Sequence, residues 1–339
     1  MSSALVLVRA VSGLEWVVAE EVAAAGHRVV EVSKRQVVVE GMIERPPRVA
    51  DDLFVVQGSA PDPGRPKNGL VGAVRAALRS APEPGGAFAV SASFVGERNF
   101  NRYDVEDLVG ERIARLVGGQ YHSRRGGVVP PDDRAEWRVV LDGKTLWIAL
   151  RPYAVPLHRR VWRQRTVPGS LHPPVAAAMA RLARLAPGQG VLDPFCGAGT
   201  VLLEAQSLEP GASYVGVDRE RAAIAAARVN GARLGGSGIS WRVGDSRRTP
   251  AGRLRARPAT DPVGGSFDRI VSNPPWGVRV DAADLPAALR RWRDVLRPGG
   301  LVVALLMAEQ VPRGWRVLDR YEVAVAGRHP VIVIADRIR

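Results

Sequence analysis

The chain has 339 residues, 46% hydrophobic and 24% charged, which allows two or three domains with a core each and excludes a low-complexity or fibrous protein. No apolar run reaches the length of a bilayer span, a single cysteine excludes an internal disulfide, and five scattered histidines show no metal-ligand spacing, so neither membrane nor structural metal is expected. The formal net charge of +14 lies in residues 151–339, with 1–150 close to neutral; it favours a polyanionic partner, although an arginine-rich chain with only three lysines can also reflect genome composition.

In chain order, LVLVRAVSGLEWVVAEEV is broken by Arg9 and followed by acidic residues at helical spacing. It lacks the apolar core and cleavage site of a signal peptide, so the cytoplasm is the expected compartment. Leu14 to Ala25 predicts an amphipathic helix ended by Gly26, and VVEVS and QVVVEG predict two short strands. A loop at PDPGRPKNG precedes a helix from Leu70 to Ser80, and APEPGG breaks the chain again. AFAVSASF alternates as a strand, and Asp104 is the expected cap of a helix with an apolar face of Val105, Leu108, Val109, Ile113 and Leu116. WRVVLDGKTLWIAL reads as a hairpin turning at Asp142 and Gly143. The first 150 residues are thus an α+β half.

Residues 151–174 carry prolines, no clear period, and Arg151, Arg159, Arg160, Arg163 and Arg165, the pattern of a basic linker. Beyond it, VAAAMARLARLA, GVLDPF, TVLLEAQSL, SYVGVD, RAAIAAARVNGARL and ISWRVGD alternate helix and strand, which predicts a doubly wound α/β domain with a parallel sheet. FDRIVS is a further strand, DLPAALRRWRDVLRPGG a helix with a glycine stop, and LVVALL and VIVIA later strands.

Strand GVLDPF runs into Cys196-Gly197-Ala198-Gly199-Thr200 and then a helix, and in an open parallel sheet ligands lie at the carboxyl ends of strands. Leu202 stands where a dinucleotide fingerprint has its third glycine, so a dinucleotide is not favoured. Three successive strands end in acids: Asp193, then Asp218 at about the 20-residue offset that reaches ribose hydroxyls, then Asp245, placed for an adenine amino group. Each acid alone could be a helix cap or turn former. Together they repel phosphate and favour a neutral or cationic adenosine ligand; S-adenosylmethionine meets that requirement, whereas ATP lacks its Gly-x-x-x-x-Gly-Lys loop here.

The fourth strand ends in Asn273-Pro274-Pro275-Trp276. An exocyclic amine of a nucleobase is a poor nucleophile because its lone pair is delocalised into the ring. The Asn273 side-chain carbonyl and the Pro274 backbone carbonyl can each accept one N–H and aim the lone pair, the prolines hold these acceptors rigid, and Trp276 offers a stacking face. A plain turn with a core tryptophan is the competing reading.

DPFCGAGT, YVGVD, GDSR and NPPWG, in this order, resemble the class I S-adenosylmethionine-dependent methyltransferases, and NPPW is similar to their amino-methylating subset. LHPPVAAAMARL resembles the segment that closes over the methionine end of the cofactor, and the first half resembles the ferredoxin-like plus THUMP arrangement of RNA-modifying enzymes. Together these look like the THUMP-containing tRNA guanine-N2 methyltransferases. The resemblance implies a Rossmann-like α/β methyltransferase domain (175–339) preceded by a ferredoxin-like module (1–45), a THUMP-like domain (46–150) and the basic linker (151–174). It further implies that Asp193, Pro194, Cys196, Gly197, Gly199, Thr200, Asp218, Arg219, Asp245, Ser246, Asn273 and His172 hold the cofactor, and that Asn273, Pro274, Pro275 and Trp276 hold the guanine. Trp276 departs from the tyrosine or phenylalanine commoner at its position.

Cys196 lies in the cofactor loop rather than beside the Pro-Pro turn, so a small buried spacer is favoured over a covalent nucleophile. Arg159, Arg160, Arg163 and Arg165 are candidates for phosphate contacts, against a solvated linker. The expectation is a methyltransferase acting on a guanosine amine in RNA, tRNA foremost. Protein glutamine methylation and a non-catalytic RNA-binding protein that retains the fold are the alternatives.

Overall fold

The computed structural model describes residues 4–80, 86–235, 238–245, 267–277, 285–310 and 314–337. Among them no helix is long and apolar enough to cross a membrane. The chain divides into two compact units, Met1–Ala10 with Glu15–Leu157, and Val11–Leu14 with His158–Arg339. Residues 151–157 of the expected linker therefore belong to the first unit and 158–174 to the second.

The first unit runs β1 (Leu5–Arg9), α1 (Glu15–Ala24), β2 (Arg28–Ser33), β3 (Gln36–Glu40), β4 (Asp52–Pro61), α2 (Lys67–Ala77), β5 (Ala87–Phe94), α3 (Arg102–Val117), β6 (Gln120–Tyr121), β7 (Ala135–Leu141) and β8 (Thr145–Leu150). Its strands form one mixed sheet of eight, ordered β2-β3-β1-β4-β8-β7-β5-β6. Strand β1 pairs with both β3 and β4, so one hydrogen-bonded sheet joins the expected modules 1–45 and 46–150. Sequence pattern misses β4, because DLFVVQGSAP has an apolar run and a polar run in place of alternation. One face of the sheet packs Phe88, Val90, Trp137, Val139 and Ile148 against Val105, Val109 and Ile113 of α3. The cap of α3 is Asn101 rather than Asp104: the Asn101 side chain accepts from the backbone N–H groups of Tyr103 and Asp104, and the Asp104 carboxylate accepts from Asn101 N–H. Asp104 is thus the return arm of a capping box, three residues inside. The β7–β8 hairpin turns as expected, with Asp142 Oδ1 accepting from Lys144 and Thr145 N–H and Gly143 at φ +95°.

In the second unit α4 (Pro173–Leu182), β9 (Gly190–Asp193), α5 (Thr200–Leu208), β10 (Ser213–Asp218), α6 (Arg221–Arg233), β11 (Ile239–Val243), β12 (Phe267–Ser272), α7 (Leu285–Val295), β13 (Leu296–Leu306), β14 (Trp315–Glu322) and β15 (Val331–Arg337) follow in turn. The sheet order is β11-β10-β9-β12-β13-β15-β14, with β15 alone running against the other strands. This is the expected doubly wound α/β architecture, with the order reversing between β9 and β12. Strand β14 has no clear sequence signal because its exposed face alternates with few apolar residues. Trp292 shares one buried core with Phe267, Ile270, Leu289, Leu296 and Val302, beside β12.

Candidate active site

The site is built where β9, β10, β11 and β12 end. Gly197 and Gly199 both take left-handed conformations (φ +52° and +85°), which a side chain would strain. Gly197 N–H donates to Asp218 Oδ2 at 2.9 Å, and Cys196 N–H donates to Val217 O at 3.0 Å, so the loop is laced to the end of β10. A Cβ on Gly199 would lie 2.6 Å from the Trp241 ring, and one on Gly216 would lie 2.6 Å from the same ring and 3.1 Å from Cys196 Sγ. Trp241 of β11 is therefore the floor of the glycine loop, and it fits only because two glycines make room. Sequence reading missed Trp241; the signal was a large aromatic in register with Gly216 on a neighbouring strand.

Asp193 is buried at the end of β9. Its Oδ1 accepts from Ser272 Oγ at 2.7 Å and from Phe195 N–H at 3.1 Å, and burial pushes its carboxyl up to about 7. Ser272, also missed in the sequence, joins the end of β9 to the end of β12, directly before Asn273. Asp218 Oδ1 accepts from Glu220 N–H at 2.9 Å. Strand β11 ends at Val243, two residues before the acid expected at its tip, and Gly244 N–H donates to Asp218 O at 3.0 Å, holding the half-buried Asp245 at the same edge. Ser246 lies outside the described residues. Arg219 is exposed and pairs with Glu220 at 3.4 Å. Pro194 lies in the turn after β9, and Thr200 opens α5 with its Oγ1 buried and without a hydrogen-bond partner among the described residues. Burial first, then Asp193 and Asp218, raise the Cys196 thiol well above its usual range, so the side chain is an inert spacer.

Asn273 Nδ2 donates to Gly169 O at 3.3 Å, while its Oδ1 is buried with no hydrogen-bond partner among the described residues. Trp276 Nε1 donates to Leu305 O at 3.1 Å and Gln310 Nε2 to Pro275 O at 3.4 Å, so the end of β13 and the short turn after it clamp the Pro-Pro loop. Gln310 is a further residue the sequence did not disclose, since it comes into play only through the fold.

The arginine-rich segment is more structured than a linker. Trp162 is buried, and Arg160 Nε donates to Glu204 Oε1 of α5 at 2.7 Å in a pair whose carboxylate is fully buried. Arg160 is thereby engaged inward, which corrects its expected role at a phosphate. Arg163 is half-buried, with its guanidinium lowered by burial, whereas Arg159 and Arg165 are exposed. His172 sits at the start of α4, its carbonyl accepting from Val175 and Ala176 N–H and its ring centroid 5.2 Å from that of His158.

A cradle that admits backbone but no side chain, three carboxylates and the orphaned hydroxyl of Thr200 suit an adenosine that carries positive charge and no phosphate. With the strand order, they define a class I S-adenosylmethionine-dependent methyltransferase. A model of the RMKL-like methyltransferase domain (UPF0020) matches residues 160–311. A tRNA (guanine(6)-N2)-methyltransferase of Thermus thermophilus is 30% identical over 285 residues, covering 79% of this chain and 79% of that protein. The chain belongs to this methyltransferase family. The mouse U6 snRNA (guanine-N(2))-methyltransferase THUMPD2 is 34% identical over 157 residues, 45% of this chain and 28% of that one. The crystal structure of TrmN from Thermus thermophilus superposes with a TM-score of 0.80 at 27% identity, covering 99% of this chain and 100% of that one.

Proposed function

We propose that the protein methylates the exocyclic N2 amine of a guanosine in structured RNA, with tRNA as the substrate. The observation that carries this is Asn273 Oδ1, a buried carbonyl oxygen without a partner among the described residues, one position beyond the Ser272–Asp193 hydrogen bond. A buried acceptor left unmade is costly, and a planar amine supplies the donor it lacks. Asn273 Oδ1 and the Pro274 carbonyl hold the two N–H groups, and the loop is kept rigid by its prolines and by the bonds of Gln310 and Leu305. S-adenosylmethionine, when bound, supplies an electrophilic methyl on a sulfonium. Asp193 would lie towards its ammonium and Asp218 towards its ribose. Alignment rather than a strong base then carries the rate, because the amine becomes acidic as it is methylated.

Two relatives act on guanine N2 of different RNAs, a tRNA and a U6 snRNA. The chemistry is thus common to relatives whose RNAs differ. We read the first unit as the THUMP-like half that selects the RNA, and the cytoplasm as its place of action. Support for the tRNA reading is the relative matched across 79% of both chains. A protein glutamine substrate would leave the mixed-sheet first unit and the exposed Arg159 and Arg165 without a role.

The test is incubation with tRNA lacking modification, followed by nucleoside mass spectrometry. N2-methylguanosine is the expected product; label in protein, or in another nucleoside, overturns the reading. Asn273→Ala should bind cofactor within about threefold of wild type and lose on the order of 100-fold in turnover.

A further inference from the structure

Three fastenings hold residues 158–170 to the second unit, and one of them reaches the reacting groups. Asn230 of α6 is fully buried, and its whole amide is engaged. Its Oδ1 accepts from Gln164 and Arg165 N–H, and its Nδ2 donates to Arg165 O and Ala198 O, each at 2.9 Å. One side chain therefore ties this strap to the glycine loop. Arg160 adds the ion pair to Glu204. Further along, Ser170 Oγ accepts from Val167 N–H at 2.8 Å, and Ser170 N–H donates to Val167 O at 2.9 Å. These bonds close a tight turn with Gly169 at φ +79°, and the Gly169 carbonyl accepts from Asn273 Nδ2.

The consequence lies in the two ends of an amide. They have the same shape and opposite hydrogen-bonding character, so an asparagine flips unless a neighbour distinguishes them. The Gly169 carbonyl is an acceptor and tolerates only the NH₂ end. It thereby turns Asn273 Oδ1 the other way, into the buried position where an amine can donate to it. Were the amide reversed, it would present donors to a donor, and the target amine would be repelled.

We propose that the strap 164–170, clasped by Asn230 and turned by Ser170, sets the amide orientation of Asn273, and that Ser170 and Asn230 are positioning residues for methyl transfer. This rests on the reading of Asn273 as the amine acceptor. Neither residue touches the amine; each acts through Gly169.

The experiment compares wild type, Ser170→Ala, Ser170→Thr and Gly169→Ala in full-length protein, with kcat, KM for tRNA and cofactor Kd measured separately. Ser170→Ala should lower kcat at least tenfold while cofactor Kd and the melting temperature stay near wild type, and Ser170→Thr, which keeps the hydroxyl, should restore most of the rate. A Cβ on Gly169 meets nothing within 4 Å, so Gly169→Ala disturbs only the turn conformation and should reproduce the kcat loss. Asn230→Ala, which also releases the Ala198 carbonyl, should lower kcat and weaken cofactor together. Wild-type kcat in Ser170→Ala and Gly169→Ala overturns the proposal, as does a loss of cofactor affinity equal to the loss of kcat in Ser170→Ala. Failure of wild type itself to methylate guanosine would instead overturn the functional reading.

Discussion

At Asp193, burial and the proposed cationic ligand pull the carboxyl in opposite directions. Removal from water raises it to about 7, while a cationic ligand beside it favours the charged form. Between the ordinary carboxylate range near 4 and about 7 the folded chain holds a proton that the unfolded chain has released, so stability falls as pH rises through that window. Binding of a cationic cofactor near pH 7 should therefore release a proton, which calorimetry in buffers of different ionisation enthalpy will detect. Asp193→Asn keeps an oxygen for Ser272 and Phe195 but carries no charge. It should abolish the proton release, weaken cofactor at least tenfold and raise the melting temperature of the cofactor-free protein at pH 8; unchanged proton release would remove Asp193 from the cofactor site.

Elements set the space in which these residues work. Strands β10 and β11 run in register, so Gly216 faces Trp241, and the indole slides across β10 to lie under Gly199. Gly216→Ala should overpack this junction at a cost of about 1–3 kcal/mol in thermal or denaturant unfolding and weaken cofactor binding. Trp241→Leu in the same chain should recover part of both losses, since it removes the atoms the new methyl meets. Lack of recovery would show that the glycine is needed for another reason. The first unit offers a separate check: Asn101→Ala removes the α3 capping box, and unfolding should register a loss of about 1 kcal/mol.

At the scale of the whole molecule, some arginines are paired inside the fold and others face solvent, a division that composition cannot make. Arg160 forms a buried pair with Glu204, so Arg160→Ala should destabilise the protein by about 3 kcal/mol or more by leaving a carboxylate buried and unpaired. The exposed Arg159 and Arg165 should show the opposite profile. Replacing both with alanine should leave the melting temperature near wild type but reduce the salt dependence of tRNA binding by roughly one unit of log–log slope for each phosphate no longer neutralised. A salt slope equal to wild type in that double variant would take these two side chains out of the RNA footprint.

Much of this was legible in the chain order of residues. Helix and strand periods, the glycine pair after β9 and the acids at strand ends depend on local spacing, so the doubly wound domain, the carboxylate cluster and the Asn-Pro-Pro-Trp loop could be read directly. Strands β4 and β14 escaped because neither shows a clean apolar alternation, and Asn101 because Asp104, three residues on in the same capping box, is by residue type an equally good cap. Ser272, Trp241, Asn230 and Gln310 escaped for another reason: each acts on a residue distant in sequence. The sequence alone determined which chemistry the chain can carry, since that depends on residue types at a sheet edge. Only the tertiary structure decided which arginines face inward and which end of the Asn273 amide is offered, because both depend on partners that only folding brings within hydrogen-bond distance.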